Sequence, residues 1–168
     1  LLWRGIEMVE ILTMLSMDID SLRAALLFPL ANADVVSEED LEKAFGKGIV
    51  SLVHGVRDMD AIRQLKAIHN DSMASEQVDN VRRMLLAMVE DFRCVVIKLA
   101  ERIAHLREMK DAPEDERVLA AKESTNIYAP LANRLGIGQL KWELEDYCFR
   151  YLHPDEYKRI AKLLHERR

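Results

Sequence analysis

Apolar residues recur three and four positions apart along most of the chain, the spacing that lines one face of an α-helix. Met8, Ile11, Leu12 and Leu15 form a first stripe, and Leu22, Ala25, Leu26 and a run to Leu30 form a second. Asp20 and Ser21 are cap candidates for that second helix, with Pro29 near its far end. Ser37-Glu38-Glu39-Asp40 reads as a capping box, a serine followed three positions later by an acid, and opens a short helix that stops at Phe45-Gly46. Ile49, Val50, Leu52, Val53 and Val56 continue the pattern from Lys47. The period lapses over Lys66–Glu76, where Asn70, Asp71, Ser72 and Ser75 predict a loop. Ser75 then caps a long helix through Val78, Val81, Met84, Leu85, Met88 and Val89.

The most apolar stretch is Phe92–Met109, whose helical spacing through Ile103 and Leu106 favours a central buried helix over a strand. Pro113 followed by Glu114, Asp115 and Glu116 predicts a helix start with proline at its first position, running to Tyr128 or beyond. Asn133 to Gly138 reads as a helix end and turn, Trp142 to Leu152 as the next helix, and Pro154 as the start of the last. About ten helices and no strand predict an all-α domain.

Composition narrows the class further. Among 168 residues, 49% hydrophobic, there are 6 Gly and 4 Pro, too few breakers for a turn-dense β fold. No apolar run approaches the ~18 residues that cross a bilayer, so no membrane is expected. With 24 basic and 29 acidic residues the net charge is −5, which speaks against binding nucleic acid through bulk charge. The chain opens at Leu1 without a charged-then-apolar leader, and both termini read as cuts through a longer protein. Cys94 and Cys148 lie inside apolar helical patterns without metal spacing, as buried reduced thiols of a cytoplasmic protein do.

Little local chemistry emerges. Gly46-Lys47-Gly48 is half a phosphate loop, without the upstream glycine or the Ser/Thr after lysine. The serines (Ser16, Ser21, Ser37, Ser51, Ser72, Ser75, Ser124) fall in caps or helix patterns and support no nucleophile triad. The five histidines, His54, His69, His105, His153 and His165, are scattered. Glu101 and His105 alone share a helix face, with Glu108 extending the row; such a pair either contributes to a metal site or forms an ion pair along the helix. The basic clusters Arg82-Arg83 and Lys158, Arg159, Lys162, Arg167 and Arg168 read as solvated faces.

The segment Asn80–Ile103, NVRRMLLAMVEDFRCVVIKLAERI, closely resembles the RelA/SpoT family of the stringent response. Ala24-Ala-Leu-Leu27, Phe45-Gly-Lys47, His54-Gly-Val56 and Ile127-Tyr-Ala-Pro-Leu-Ala-Asn-Arg-Leu-Gly136 follow in that family's order, and the likeness covers essentially the whole chain. The resemblance implies a single domain over 1–168 with the HD phosphohydrolase fold, a fragment whose end, about 154–168, leads toward a (p)ppGpp synthetase domain. Active hydrolases of this family resemble one another in a histidine, a His-Asp pair and a distant Asp that hold manganese, with a Glu-Asp pair for the attacking water. Against that pattern the first histidine is matched by Arg4, the His-Asp pair by Phe28-Pro29, the Glu-Asp pair by Asn32-Ala33, the distant Asp by Glu101 and a nearby Asn by His105.

Those replacements imply that the domain is catalytically inactive, holds no metal or other cofactor, and resembles the monofunctional synthetase branch. The longer protein would transfer pyrophosphate from ATP to the 3′-hydroxyl of GTP or GDP with Mg²⁺. It would engage the ribosome and uncharged tRNA through other regions, while this domain regulates the adjacent synthetase in cis. Two alternatives stay open. One is a non-catalytic module for a guanine nucleotide or a partner, with Arg102 and Arg134 as phosphate candidates; against it, His54-Gly-Val-Arg-Asp58 replaces the family's Glu-Gly-Val-(Thr/Ser)-Lys. The other is a residual phosphohydrolase using Glu101, His105 and Asp34.

Overall fold

A computed structural model describes the backbone of residues 1–68 and 91–167, and side chains over the same residues apart from 60–68. All regular structure among the described residues is helical: α1 (Leu2–Thr13), α2 (Ile19–Asn32), α3 (Glu38–Phe45), α4 (Lys47–Ile68), α5 (Phe92–Glu108), α6 (Glu114–Glu123), α7 (Ala129–Arg134), α8 (Gly138–Leu152) and α9 (Pro154–Glu166). A 3₁₀ turn (Met109–Asp111) follows α5, and a π-helical turn (Ser124–Tyr128) joins α6 to α7. The expected all-α architecture holds.

The chain divides into two compact units, Leu1–Ala104 and His105–Arg168. In the first, α1 packs on α2, α2 on α4 and α3 on α4. Met8, Leu12, Ala24, Phe28, Leu52, Val56 and Met59 form much of its core. Each large aliphatic or aromatic side chain so buried contributes about 1.5–3 kcal/mol. α1 meets α2 closely enough that a Cβ on Gly5 would stand 2.5 Å from the Leu26 carbonyl oxygen. α4 meets α5 as tightly, since a Cβ on Gly55 would stand 2.5 Å from the Cys94 sulfur. Every residue of α5 from Cys94 to Ala104 is buried, including the charged Lys98, Glu101 and Arg102. A helix enclosed on all sides must neutralise such charges internally.

In the second unit α8 is the common partner of α6, α7, the π turn and α9. The Tyr151 hydroxyl donates to the Leu106 carbonyl, and burial pushes its pKa up to about 12. Arg107 Nε donates to Glu143 at 2.7 Å. Arg150 stacks over the rings of Tyr147 and Tyr157, 5.0 and 4.6 Å from their centroids, and joins α8 to α9. Tyr157 also packs edge-on against Phe149, while Ile160, Leu163 and Leu164 of α9 lie on the surface.

Several local expectations need correction. Asp18, not Asp20 or Ser21, is the N-cap of α2; Ser21 instead donates its hydroxyl to Asp18 at 2.6 Å. The cap falls earlier because Asp18 has the extended backbone a cap requires while Asp20 and Ser21 lie in the first helical turn. Pro113 also precedes its helix, at the N-cap with ψ 149, and Glu114 is the first helical residue. Lys66, Ala67 and Ile68, read as the start of a loop, continue α4, because none of them is a Gly or Pro that would end the helix there. The rest of that loop, His69, the helix opened by Ser75 and the Arg82-Arg83 cluster lie outside the described residues. The Ser37 cap is present, its hydroxyl accepting from the Asp40 amide at 3.1 Å, and Gly46 ends α3 with φ 92.

Candidate functional site

The fold places the site residues on three helices of the first unit. Arg4 belongs to the first turn of α1, Phe28, Pro29 and Asn32 to the last turns of α2, and Glu101 to the middle of α5. Across 97 positions of sequence, Arg4 Nη1 donates to Glu101 Oε1 at 3.3 Å. Two further cations reach the same carboxylate from α5 itself. Lys98 Nζ donates to Oε2 at 3.0 Å, while Arg102 donates through Nε to Oε2 at 2.7 Å and through Nη2 to Oε1 at 2.6 Å. The side chains of Lys98, Arg102 and Glu101 are 0%, 4% and 6% exposed, and that of Arg4 is 21% exposed.

Electrostatics follow from that geometry. Burial alone would push the Glu101 carboxyl upward, but the positive charges of Lys98 and Arg102 and their hydrogen bonds outweigh it. The group is held well below the usual carboxylate range and stays ionised. Charge-assisted hydrogen bonds of this kind are the strong ones, and enclosure keeps salt from screening them.

Glu101 is therefore the acceptor at the centre of a cluster of cations. A hard divalent ion needs several oxygen or imidazole donors converging on it. Here Arg4 brings a positive charge, and Phe28 and Pro29, both buried, bring hydrocarbon. Asn32 and Ala33 are exposed at the end of α2, and Ala33 has no side-chain donor at all. No group of three or more His, Cys, Asp or Glu able to hold a metal occurs among the described residues. The residues at these positions do not fit a metal ion.

The remaining candidates are dispersed. His105 follows Glu101 by one turn of α5, half-buried, in the second unit. Glu108 is exposed. Asp34, exposed and in a left-handed conformation with φ 56, pairs with Arg57 at 3.2 Å. Arg57 also reaches Glu38, which lies 3.2 Å from His54 Nδ1, so the altered His54–Asp58 stretch is tied to the start of α3. Arg102, a phosphate candidate by sequence, uses Nε and Nη2 on Glu101. Arg134 is exposed at the end of α7. Both cysteines are buried free thiols: Cys94 lies 3.7 Å from the Leu52 carbonyl oxygen and Cys148 3.4 Å from that of Ala121.

Lys98 is the participant that sequence reasoning missed. Its signal was present, since a lysine three residues before a glutamate shares its helix face. A lone lysine inside the run Cys94–Ala104 needs a buried partner, and Glu101 is the nearest acid at that spacing.

Comparison with known proteins adds three observations. The family model described as HD domain matches residues 1–138. A protein named GTP pyrophosphokinase from Escherichia coli K12 is 85% identical over all 168 residues, and its Haemophilus influenzae namesake is 61% identical over 169 aligned positions. A Synechocystis protein named probable guanosine-3′,5′-bis(diphosphate) 3′-pyrophosphohydrolase is 42% identical over 133 residues, 79% of the chain. The chain spans 23% of the Escherichia coli relative, 22% of the Haemophilus one and 17% of the Synechocystis one.

Proposed function

From the chain's membership of the HD-domain family, we propose that it is a hydrolase-like domain that has lost hydrolysis and serves a GTP pyrophosphokinase as a regulatory part. The observation that carries this reading is the state of Glu101, the one carboxylate at the matched positions, whose two oxygens accept four hydrogen bonds from three cations. Metal-assisted hydrolysis requires an ion to acidify a water and a base to receive its proton. Phe28, Pro29 and Ala33 supply neither, and Glu101, its pKa lowered and both its oxygens engaged by Arg4, Lys98 and Arg102, is a poor base for that proton.

The nucleotide-binding alternative is weakened by the engagement of Arg102 with Glu101. Synthesis of the 3′-pyrophosphorylated nucleotide, with its ATP, GTP or GDP and Mg²⁺, belongs on this reading to the part of those longer proteins that the chain does not span. So does contact with ribosome and tRNA. The domain would bias an adjacent synthetase by contacting its states unequally, which is the only way a non-catalytic neighbour shifts an equilibrium.

The test is direct. The purified chain, given ppGpp and Mn²⁺, should release pyrophosphate no faster than a metal-free blank. A rate well above that blank would falsify the reading.

A further inference from the structure

The geometry points to Arg4 as an internal cation that does structurally what a bridging metal ion would do: it ties α1 to α5 through Glu101, so that the first unit keeps one conformation without divalent metal. A metal in such a fold joins donors from separate helices through one positive centre. Here the positive centre is covalently part of α1, and the receiving carboxylate is also held from within α5. Lys98 and Arg102, both from α5, already hold Glu101 through three of its four hydrogen bonds. The fourth, from Arg4, is the longest at 3.3 Å and the one that crosses between helices.

Three features make this contact more than a surface ion pair. Its acceptor is 6% exposed, so water and salt compete poorly for it. Its donor comes from α1, 97 positions away in sequence, so the bond joins two separate helices. Next to it, Gly5 brings the α1 backbone against the Leu26 carbonyl of α2, an approach that a shift of this part of α1 would undo. Arg4 is thus a positioning residue for α1. The inference rests on the proposed loss of hydrolysis only for the comparison with metal; the clamp itself is a matter of exchange and stability.

Hydrogen exchange on the intact chain tests it. Arg4→Met keeps much of the side chain's length and removes its charge, and should raise exchange of the α1 amides about tenfold while leaving the α3 amides unchanged. Arg4→Lys should recover part of that protection, since an ammonium still reaches toward Glu101 but offers one point of attachment in place of a planar fork. Wild-type α1 protection should not respond to added Mn²⁺ or to moderate salt. Unchanged α1 exchange in Arg4→Met overturns the clamp whatever the hydrolysis assay shows. Added protection with Mn²⁺ overturns the metal independence. Pyrophosphate release by the wild type would sink the functional reading while leaving the clamp to stand or fall on exchange alone.

Discussion

Glu101 is the residue on which the site's energetics turn. Converting it to glutamine keeps the volume but removes the negative charge to which Arg4, Lys98 and Arg102 donate. Breaking a buried pair in that way typically costs about 3–5 kcal/mol, because the enclosed cations lose the carboxylate they bond to. Glu101→Gln should therefore lower the urea midpoint far more than a change at exposed Glu108, and equal midpoints would refute the argument. Acid should act through the same residue. The Glu101 carboxyl is lowered from an ordinary value of 4.5, and Asp18 and Asp91 are lowered from 3.8, the first chiefly by the Ser21 hydrogen bond and the second chiefly by that from Arg93. A carboxyl whose pKa is depressed on folding stabilises fully above its unfolded value and loses that stabilisation as pH falls toward its folded one. Stability should thus decline as pH drops below the ordinary carboxyl range, and Asp18→Asn should flatten the upper part of that decline in a series of thermal melts. The sequence shows Glu101 and Lys98 at helical spacing, but that spacing is the same for an exposed pair as for a buried one. Enclosure is a tertiary property, and Arg4, 97 positions away, joins the cluster only through the fold.

Elements succeed or fail here at their close approaches and ends. Gly55→Ala would push a methyl group to within 2.5 Å of the Cys94 sulfur. Overpacking of this kind costs about 1–3 kcal/mol, and Cys94→Ala in the same chain should recover much of it by removing the offending atom. A double variant no more stable than Gly55→Ala would place the strain elsewhere. Ser37→Ala removes the hydroxyl that accepts from the Asp40 amide, and should destabilise by about 1 kcal/mol in a denaturant titration. The helices with strong local punctuation were legible in advance: Ser37 and Gly46 bracket α3, and Pro154 opens α9. Where punctuation was weak the reading slipped. α4 passes through polar Lys66 because nothing there forbids helix, and the caps at Asp18 and Pro113 differ from the expected positions by one to three residues because several neighbours are chemically acceptable. The π-helical winding over Ser124–Tyr128 is confined to about one turn, too short for a change of period to be read from the spacing.

For the molecule as a whole, the chain belongs to the HD-domain family, and Arg4, Phe28, Pro29 and Ala33 offer no side-chain donor that suits a metal. Introducing a His-Asp pair into α2, with Phe28→His and Pro29→Asp, should give no pyrophosphate release from ppGpp in Mn²⁺, because Arg4, Lys98 and Arg102 would still surround Glu101. Measurable release by that double variant would show that the cluster yields its carboxylate to a metal. The consequence of the cluster reaches into the history of such a chain. Any path back to metal-dependent chemistry must introduce donors one at a time, and each would arrive while a fixed guanidinium still holds the carboxylate they need. Removing the guanidinium first loosens the frame before a metal can replace it. Neither order has a favourable first step, so on the proposed reading the loss of activity works as a ratchet: lineages that enter this state are held in it by their own stability.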